Sequence, residues 1–416
     1  MYLPPLSVIV LFAVFVLIAI RQIGRFRLKI WQIVLAGAII VLLTGQVSLQ
    51  VAASYVDPTV IAYLIGIFIV GEAITSSGYI QHLSYLLFRK AHSVDLFVIL
   101  VLFSMGFGSM FLLNDTMAII GTPVVLLFAS REKISPKLML LTLAFAITIG
   151  SVASPIGNPQ NLLIASNGIA GKSPFVAFFS YLLLPTVINL FIAYLVLRTF
   201  YKKEFHSKPL IHANVEIKDR QLALASKISL VLLAVSILAS ILVIELGIPV
   251  SFNLAYIAVI SALPIVLFSK RRFSIIKNID WTTIVFFVAL FVLVGSVWQC
   301  GFFQALLGKL NVNIESIPTI LIASVIGSQL VSNVPMVIIY LKLIAYTHIS
   351  ARAAMALAAG STIAGNLFIL GAASNVIIIQ NAEKRHNQTL SFFDFAKVGV
   401  VVTVLNVMVY WAFLTL

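Results

Sequence analysis

Cysteine is almost absent from this chain of 416 residues: Cys300 stands alone. That excludes an intrachain disulfide and any multi-cysteine metal site. Charge is scarce too. Asp, Glu, Lys and Arg make up 10% of the residues, against about 25% in a soluble globular domain. None of the six histidines falls deep in an apolar run, and no HExxH motif occurs, which removes the usual zinc-hydrolase signature. No phosphate-binding glycine loop of the GxxxxGK[ST] kind is present, so the chain itself is not expected to hydrolyse ATP. The net charge of +14 would point to nucleic acid only if the basic residues clustered on a soluble face, and they are dispersed.

What fills the chain instead is apolar residue, 61% of the total. Runs long enough to cross a hydrocarbon core of ~30 Å recur along the whole length. Candidate spans are 5–20, 30–47, 58–76, 138–168, 174–197, 227–246, 251–268, 281–299, 352–381 and 393–415. The first lacks a basic start and a small-residue cleavage site, so it reads as a retained helix. Segments 94–130 and 316–347 carry polar residues at their midpoints and read as re-entrant hairpins. With that assignment, all but four of the 27 Lys and Arg fall on one side, which the positive-inside rule makes cytoplasmic. The exceptions are Lys172, Lys309 and Arg352 outside, and Lys342 within the second hairpin, snorkelling outward. Both termini come out external, in a multi-pass protein of the plasma membrane. Trp31, Trp281, Trp298 and Trp411 lie near span ends, as interfacial anchors do.

The chain also repeats itself. DPTVIAYLIGIFIVGEAITSSGYIQ from Asp57 and DWTTIVFFVALFVLVGSVWQCGFFQ from Asp280 share Asp, Thr, Gly and Gln at matching offsets. Each copy leads into a hairpin with Asn at its tip, LLNDTM and LVSNVPM. Each hairpin leads to an interrupted span, SPIGNPQNLLIAS and GAASNVIII. The expected fold is therefore an all-α polytopic membrane protein of two inverted repeats, each with a re-entrant hairpin and a broken transmembrane helix. The repeats are 1–197 and 228–416, joined by a charged cytoplasmic linker over 198–227. Five crossings per half is an odd number, which inverts the second half, and paired broken helices near the midplane mark transporters.

Broken backbone in a bilayer needs a reason, because an unpaired amide or carbonyl in hydrocarbon costs several kcal/mol. Pro155 and Pro159 end the first half-helix, and Gly157 allows close backbone approach. Carbonyls freed at such a break, with Asn oxygens, suit a cation such as Na⁺, while half-helix N-termini favour an anion. The second helices are expected near Thr116, Leu162, Pro335 and Val376. Four such N-termini could hold an anion with no Lys or Arg in the motifs. A Pro/Gly kink relieved by neighbouring helices is the alternative for each motif taken singly.

NDTMAIIGTPVVLL, SPIGNPQNLLI, SQLVSNVP, GAASN and the Asp-Trp-Thr opening at 280–282 resemble the arsenite/anion permease family. That family belongs to the ion transporter superfamily, with its antiporter, citrate and dicarboxylate branches. The resemblance spans nearly the whole chain. It implies a scaffold, a moving transport domain, elevator-type alternating access and often a homodimer. Carried over residue by residue, it places ion contacts at Asn114, Asn158, Asn161, Asn333 and Asn375. The candidate ion- and substrate-binding set adds the residues beside them at the same tips and breaks: Asp115, Thr116, Ser154, Gly157, Ser332 and Ser374. One candidate Na⁺ site is Asn114, Asn158 and Asn161; the other is Asn333 and Asn375. The first hairpin reads Asn-Asp-Thr and the second Ser-Asn-Val, where dicarboxylate carriers pair Ser-Asn-Thr in both halves, so substrate class stays open.

Asp115 is the clearest deep carboxylate and either binds the coupling cation or caps a helix. Glu72 is either functional or an interfacial carboxylate. Asn366 is either a further ligand or a helix–helix hydrogen bonder. Segment 78–92 reads as an amphipathic helix on the cytoplasmic face. The expected function is secondary active transport of a small anion or neutral metalloid oxyacid, coupled to Na⁺ or H⁺, with no cofactor and no nucleic acid. A Na⁺/H⁺ antiporter without organic substrate is the alternative. An intramembrane enzyme would need a catalytic pair at depth, and a channel would share the breaks but not saturable exchange.

Overall fold

The computed structural model describes residues 5–20, 22–23, 26–27, 29–88, 91–171, 173–205, 218–246, 253–302, 313–344, 349–386 and 388–416. The described chain is helical apart from one two-residue antiparallel ladder, in which Gln22–Ile23 pairs with Phe26–Arg27. Among the described residues six helices are long and apolar enough to cross a membrane, including Pro58–Ser77, Val94–Phe111 and Trp281–Gln299.

The helices sort into two bodies. One holds α1 (Leu6–Ile20), α2 (Ile30–Leu43), α3 (Leu49–Tyr55) and α4 (Pro58–Ser77). It also holds α11 (Arg220–Glu245), α12 (Leu254–Phe268), α13 (Arg272–Asn278) and α14 (Trp281–Gln299). Its main seams are α4 on α12 and α2 on α14. The other body holds α5 (Tyr79–Phe88), α6 (Val94–Phe111), α7 (Asn114–Glu132), α8 (Pro136–Ser151), α9 (Pro159–Ser166) and α10 (Pro174–Phe200). To these it adds α15 (Ile317–Val331), α16 (Asn333–Leu343), α17 (Ala351–Ile363), α18 (Ala373–His386) and α19 (Phe392–Thr415). Here α6 packs on α8, α15 on α17, α7 on α18 and α10 on α19. The bodies meet more thinly, chiefly through α14 against α16, α4 against α7 and α9, and α1 against α15. The three ion pairs among the described residues, Lys137–Asp394, Arg198–Asp95 and Arg271–Asp219, each stay within one body.

Local sequence explains the helix ends. Asp57 accepts from the backbone N–H groups of Thr59 and Val60, and Asp280 from that of Thr283. Each such cap contributes about 1 kcal/mol. Helix α4 closes on Gly78 at φ 75°, and α14 is followed by Gly301 at φ 76°. The two copies of the internal repeat thus start and stop in the same way. The tight α6–α8 seam depends on Gly150: a methyl there would sit 2.2 Å from the Gly106 carbonyl oxygen.

Several sequence expectations shift. The second helices begin at Asn114, Pro159, Asn333 and Ala373, two or three residues before the expected starts. Hydrogen-bonded first turns include the polar tip residues themselves. Asp115 is accordingly inside the first turn of α7, whose N-cap is Leu113; it is not the capping residue. The charged linker is shorter than expected, since α10 runs to Phe200 and α11 begins at Arg220. Span 30–47 is helical only to Leu43, and the short α3 follows it at Leu49–Tyr55, outside any expected span. At 18 residues α6 could itself cross a bilayer. The tip between α6 and α7 is joined to the broken segment after α8, the Asn114 N–H donating to the Gly157 carbonyl at 3.1 Å. Lys172, Lys309 and residues 206–217 of the expected linker lie outside the described residues.

Candidate functional site

The first break is held together by its own asparagines. Asn158 caps α9, its Oδ1 accepting from the Asn161 backbone N–H at 2.9 Å. The Asn161 side-chain amide donates to three carbonyls freed at the end of α8: Ser151 at 3.1 Å, Val152 at 3.2 Å and Ser154 at 3.0 Å. Those carbonyls fix which end of the amide faces them, since its oxygen there would meet only acceptors. Asn161 Oδ1 in turn accepts from Thr362 Oγ1 at 3.2 Å. Thr362 also accepts from Asn158 Nδ2 at 3.2 Å and Gln160 Nε2 at 3.4 Å. A residue of α17, the approach to the second break, thereby completes the first. Ser154 Oγ accepts from the Ile156 N–H at 3.3 Å. Gly157 is required by space, because a Cβ would lie 2.7 Å from both the Ser109 and Ser151 carbonyl oxygens.

The second break repeats part of this arrangement. Asn375 is the third residue of α18, as Asn161 is of α9. Its amide donates to the Gly365 carbonyl at 2.7 Å, ten residues earlier, as Asn161 does to Ser151. In the same register Thr148 stands to Asn161 as Thr362 stands to Asn375. The counterpart of the Thr362–Asn161 bond would therefore be Thr148–Asn375. It is not formed: Thr148 Oγ1 and Asn375 Oδ1 are both buried with no hydrogen-bond partner. Ser374 Oγ, Asn333 Oδ1 and Asn366 Oδ1 share that condition. Leaving a buried polar atom unpaired costs about 1–3 kcal/mol. The first break has used its oxygens internally; the second keeps a set of unpaired ones.

The hairpin tips carry a further sign of strain. Ser332, between α15 and α16, has φ 75° and ψ 158°, a region almost confined to glycine that costs about 1–3 kcal/mol elsewhere.

A cavity of about 360 Å³ lies between the two bodies. One wall is Lys29, Ile30 and Trp31 at the start of α2, with Thr282, Thr283, Phe286 and Phe287 of α14. The other consists of the first turns of four helices: Asn114 and Asp115 of α7, Pro159 and Gln160 of α9, Asn333 and Val334 of α16, and Ala373 and Val376 of α18. Ser332 lines it as well. Each of those four helices presents its positive end to the same space, although the Asn114 N–H is taken by the Gly157 carbonyl and the Asn161 N–H by Asn158 Oδ1.

Of the residues singled out from sequence, Asn114, Asp115, Ser332 and Asn333 line the cavity. Ser154, Gly157, Asn158, Asn161, Ser374 and Asn375 belong to the buried breaks beside it. Thr116 turns away and packs on Gly71 of α4. Glu72 accepts from Ser76 Oγ at 2.7 Å within α4 and is not a cavity residue. Asn366 donates to Asn406 of α19 at 3.4 Å. Sequence reasoning missed Thr362, Thr148, Gln160, Lys29 and the Thr282–Thr283 pair. Extending the repeat register two turns upstream of each break would have paired Thr148 with Thr362. No group of three or more His, Cys, Asp or Glu able to hold a metal occurs among the described residues.

Comparison with known proteins agrees with this architecture. The sequence profile of the citrate transporter family (CitMHS) matches residues 12–351. A 46 kDa membrane protein of Mycobacterium leprae is 26% identical over 85% of this chain and 84% of its own. The silicon efflux transporter LSI3 of Oryza sativa subsp. japonica is 24% identical over 88% of each chain. The crystal structure of the Alcanivorax borkumensis YdaH transporter, described as having an unusual topology, aligns with a TM-score of 0.62 at 14% identity. That alignment covers 98% of this chain and 96% of the other, a likeness of fold. The resemblance read from the motifs holds at the level of a multi-pass membrane transporter.

Proposed function

Because the chain belongs to the citrate transporter family, we propose that it is a secondary active carrier of a small carboxylate or inorganic oxyanion, coupled to Na⁺ or H⁺. The observation that carries this reading is the convergence of four helix N-termini on one cavity between two bodies. Each N-terminus favours an anion by about 0.3–1 kcal/mol, and by up to ~2 kcal/mol when partly buried. Together they replace the buried arginine that an anion site otherwise needs. A neutral metalloid hydroxide is the second reading, favoured by the similarity to a silicon efflux transporter and by the neutral Thr282 and Thr283 in the cavity, whose hydroxyls donate to Asp280 and keep lone pairs to accept from a metalloid O–H.

The coupling cation belongs to the second break. Asn333 Oδ1, Asn375 Oδ1, Ser374 Oγ and Thr148 Oγ1 are oxygens without partners, the donor set a hard monovalent cation takes. The first break fits a cation less well, since the Asn161 amide nitrogen occupies its carbonyl cluster. Asp115, on the cavity wall, is the candidate proton carrier, and an antiporter exchanging Na⁺ for H⁺ without organic substrate would rest on it. Thin contact between the bodies supports elevator-type movement of α5–α10 with α15–α19 against the rest, and the repeat supports an inverted second half. Uptake of citrate, silicate and arsenite into proteoliposomes, with Na⁺ and pH gradients imposed separately, tests the proposal. Gradient-driven accumulation of an anion is the expected result. Gradient-driven Na⁺/H⁺ exchange with none of the three solutes moving would overturn it.

A further inference from the structure

A second cavity, of about 200 Å³, lies farther along the same seam. The two share three walls. On α14 the first is lined to Phe287 and the second from Phe291; on α9 the division falls between Gln160 and Leu163; on α16 it falls between Val334 and Ile338. About one helical turn, ~4.5–6 Å, separates them on every wall. The Phe287 and Phe291 rings, 6.2 Å apart, fill the α14 part of that barrier. The first cavity opens beside Lys29, on the face rich in Lys and Arg; the second lies at the start of α4, on the opposite face.

Helix polarity makes the second cavity hostile to an anion unless something offsets it. Helices α9 and α16 run from one cavity to the other, so they present positive ends to the first and negative ends to the second. Asp57 lines the second cavity too, but its carboxylate is engaged by the Thr59 and Val60 N–H groups. Among the described residues that line it one is a cation, Lys342 in the last turn of α16. Its Nζ lies 5.9 Å from the centre of the Trp298 ring, and it takes part in none of the ion pairs among the described residues. Apart from Asp57 the polar groups of the lining are neutral: Ser166, Asn167 and Tyr55, whose hydroxyl donates to Gln299 at 3.0 Å.

We propose that this second cavity is a docking site for the same class of small polycarboxylate or oxyanion on the opposite face of the membrane, with Lys342 as its countercharge. The inference rests on the anion reading of the first cavity. It adds a separate site that the anion occupies before or after the barrier, and it gives Lys342 a role in charge selection.

The test uses the full-length protein with Cys300→Ser and Asn167→Cys, Asn167 being exposed. Alkylation by N-ethylmaleimide, which is uncharged, is timed with and without citrate. Citrate should slow the reaction, and Lys342→Gln should raise the half-protecting concentration about fivefold, the ~1 kcal/mol of a half-exposed ion pair. Lys342→Arg should restore protection. Equal half-protection in the Lys342→Gln and parent proteins, or no protection by citrate in a parent that transports citrate in proteoliposomes, would overturn the docking site while leaving the carrier reading intact. A parent that moves no anion in the same proteoliposomes overturns the carrier reading, and the docking site with it.

Discussion

Thr362→Val and Thr148→Val are the same chemical change at two positions the repeat makes equivalent, yet they should behave differently. Both threonines are buried, and valine keeps their shape. At Thr362 the hydroxyl donates to Asn161 Oδ1 and accepts from Asn158 and Gln160. Its removal orphans a buried amide oxygen and costs about 1–3 kcal/mol. With an unfolding entropy of about 2.1 cal/mol/K per residue, the midpoint of a thermal unfolding scan should fall by ~1–3 °C. Na⁺ should not change that loss. At Thr148 the hydroxyl and its would-be partner, Asn375 Oδ1, are already unpaired, so Thr148→Val should leave the midpoint in choline buffer unchanged or slightly raised. Its effect should appear on adding Na⁺. A cation at 100 times its dissociation constant stabilises by ~2.7 kcal/mol, a shift of ~3 °C in the parent, and the Thr148→Val shift should be clearly smaller. Equal losses for both variants in choline, or an undiminished Na⁺ shift in Thr148→Val, would refute the argument that the second break holds the cation.

Asn161→Ala should lower thermal stability by ~3 °C or more without Na⁺, because three carbonyls lose their donor, whereas Asn375→Ala, which loses one such bond, should act more on Na⁺-dependent uptake than on stability. Asp115→Asn keeps the shape of a side chain that caps nothing, so expression and melting should persist while dependence of uptake on the imposed pH gradient disappears; unchanged gradient dependence would place coupling in the asparagines and carbonyls alone. Gly150→Ala drives a methyl into the Gly106 carbonyl and should cost ~3 kcal/mol or more through separation of α6 from α8, read as loss of the monodisperse peak in size-exclusion chromatography. In a Cys300→Ser background, Ser130→Cys should react with an impermeant thiol reagent from the basic face and Ser350→Cys from the opposite face; labelling of both from one side would sink the inverted arrangement.

Composition and pattern alone were enough for the class of molecule. Scarce charge, recurring apolar runs and polar residues at the midpoints of four segments admit a polytopic helical protein with broken helices, because hydrocarbon leaves backbone groups no other partner. The Asp-to-Gly repeat was legible for a similar reason, since an N-cap and a left-handed stop are local requirements. Helix starts were missed by two or three residues because a tip such as Asn114 is helical only once its N–H finds the Gly157 carbonyl, a contact made far along the chain. Tertiary structure decided which asparagines are spent and which are free. Asn161 and Asn375 look alike in sequence and hold the same helical position. One meets Thr362 across the breaks and the other leaves Thr148 unpaired, a difference set by how two half-helices settle against each other. The same packing turns Thr116 onto Gly71, brings Lys29 to the cavity wall and places Lys342 at the far end of the seam. No periodicity encodes those placements, because each depends on the distance between bodies that scarcely touch.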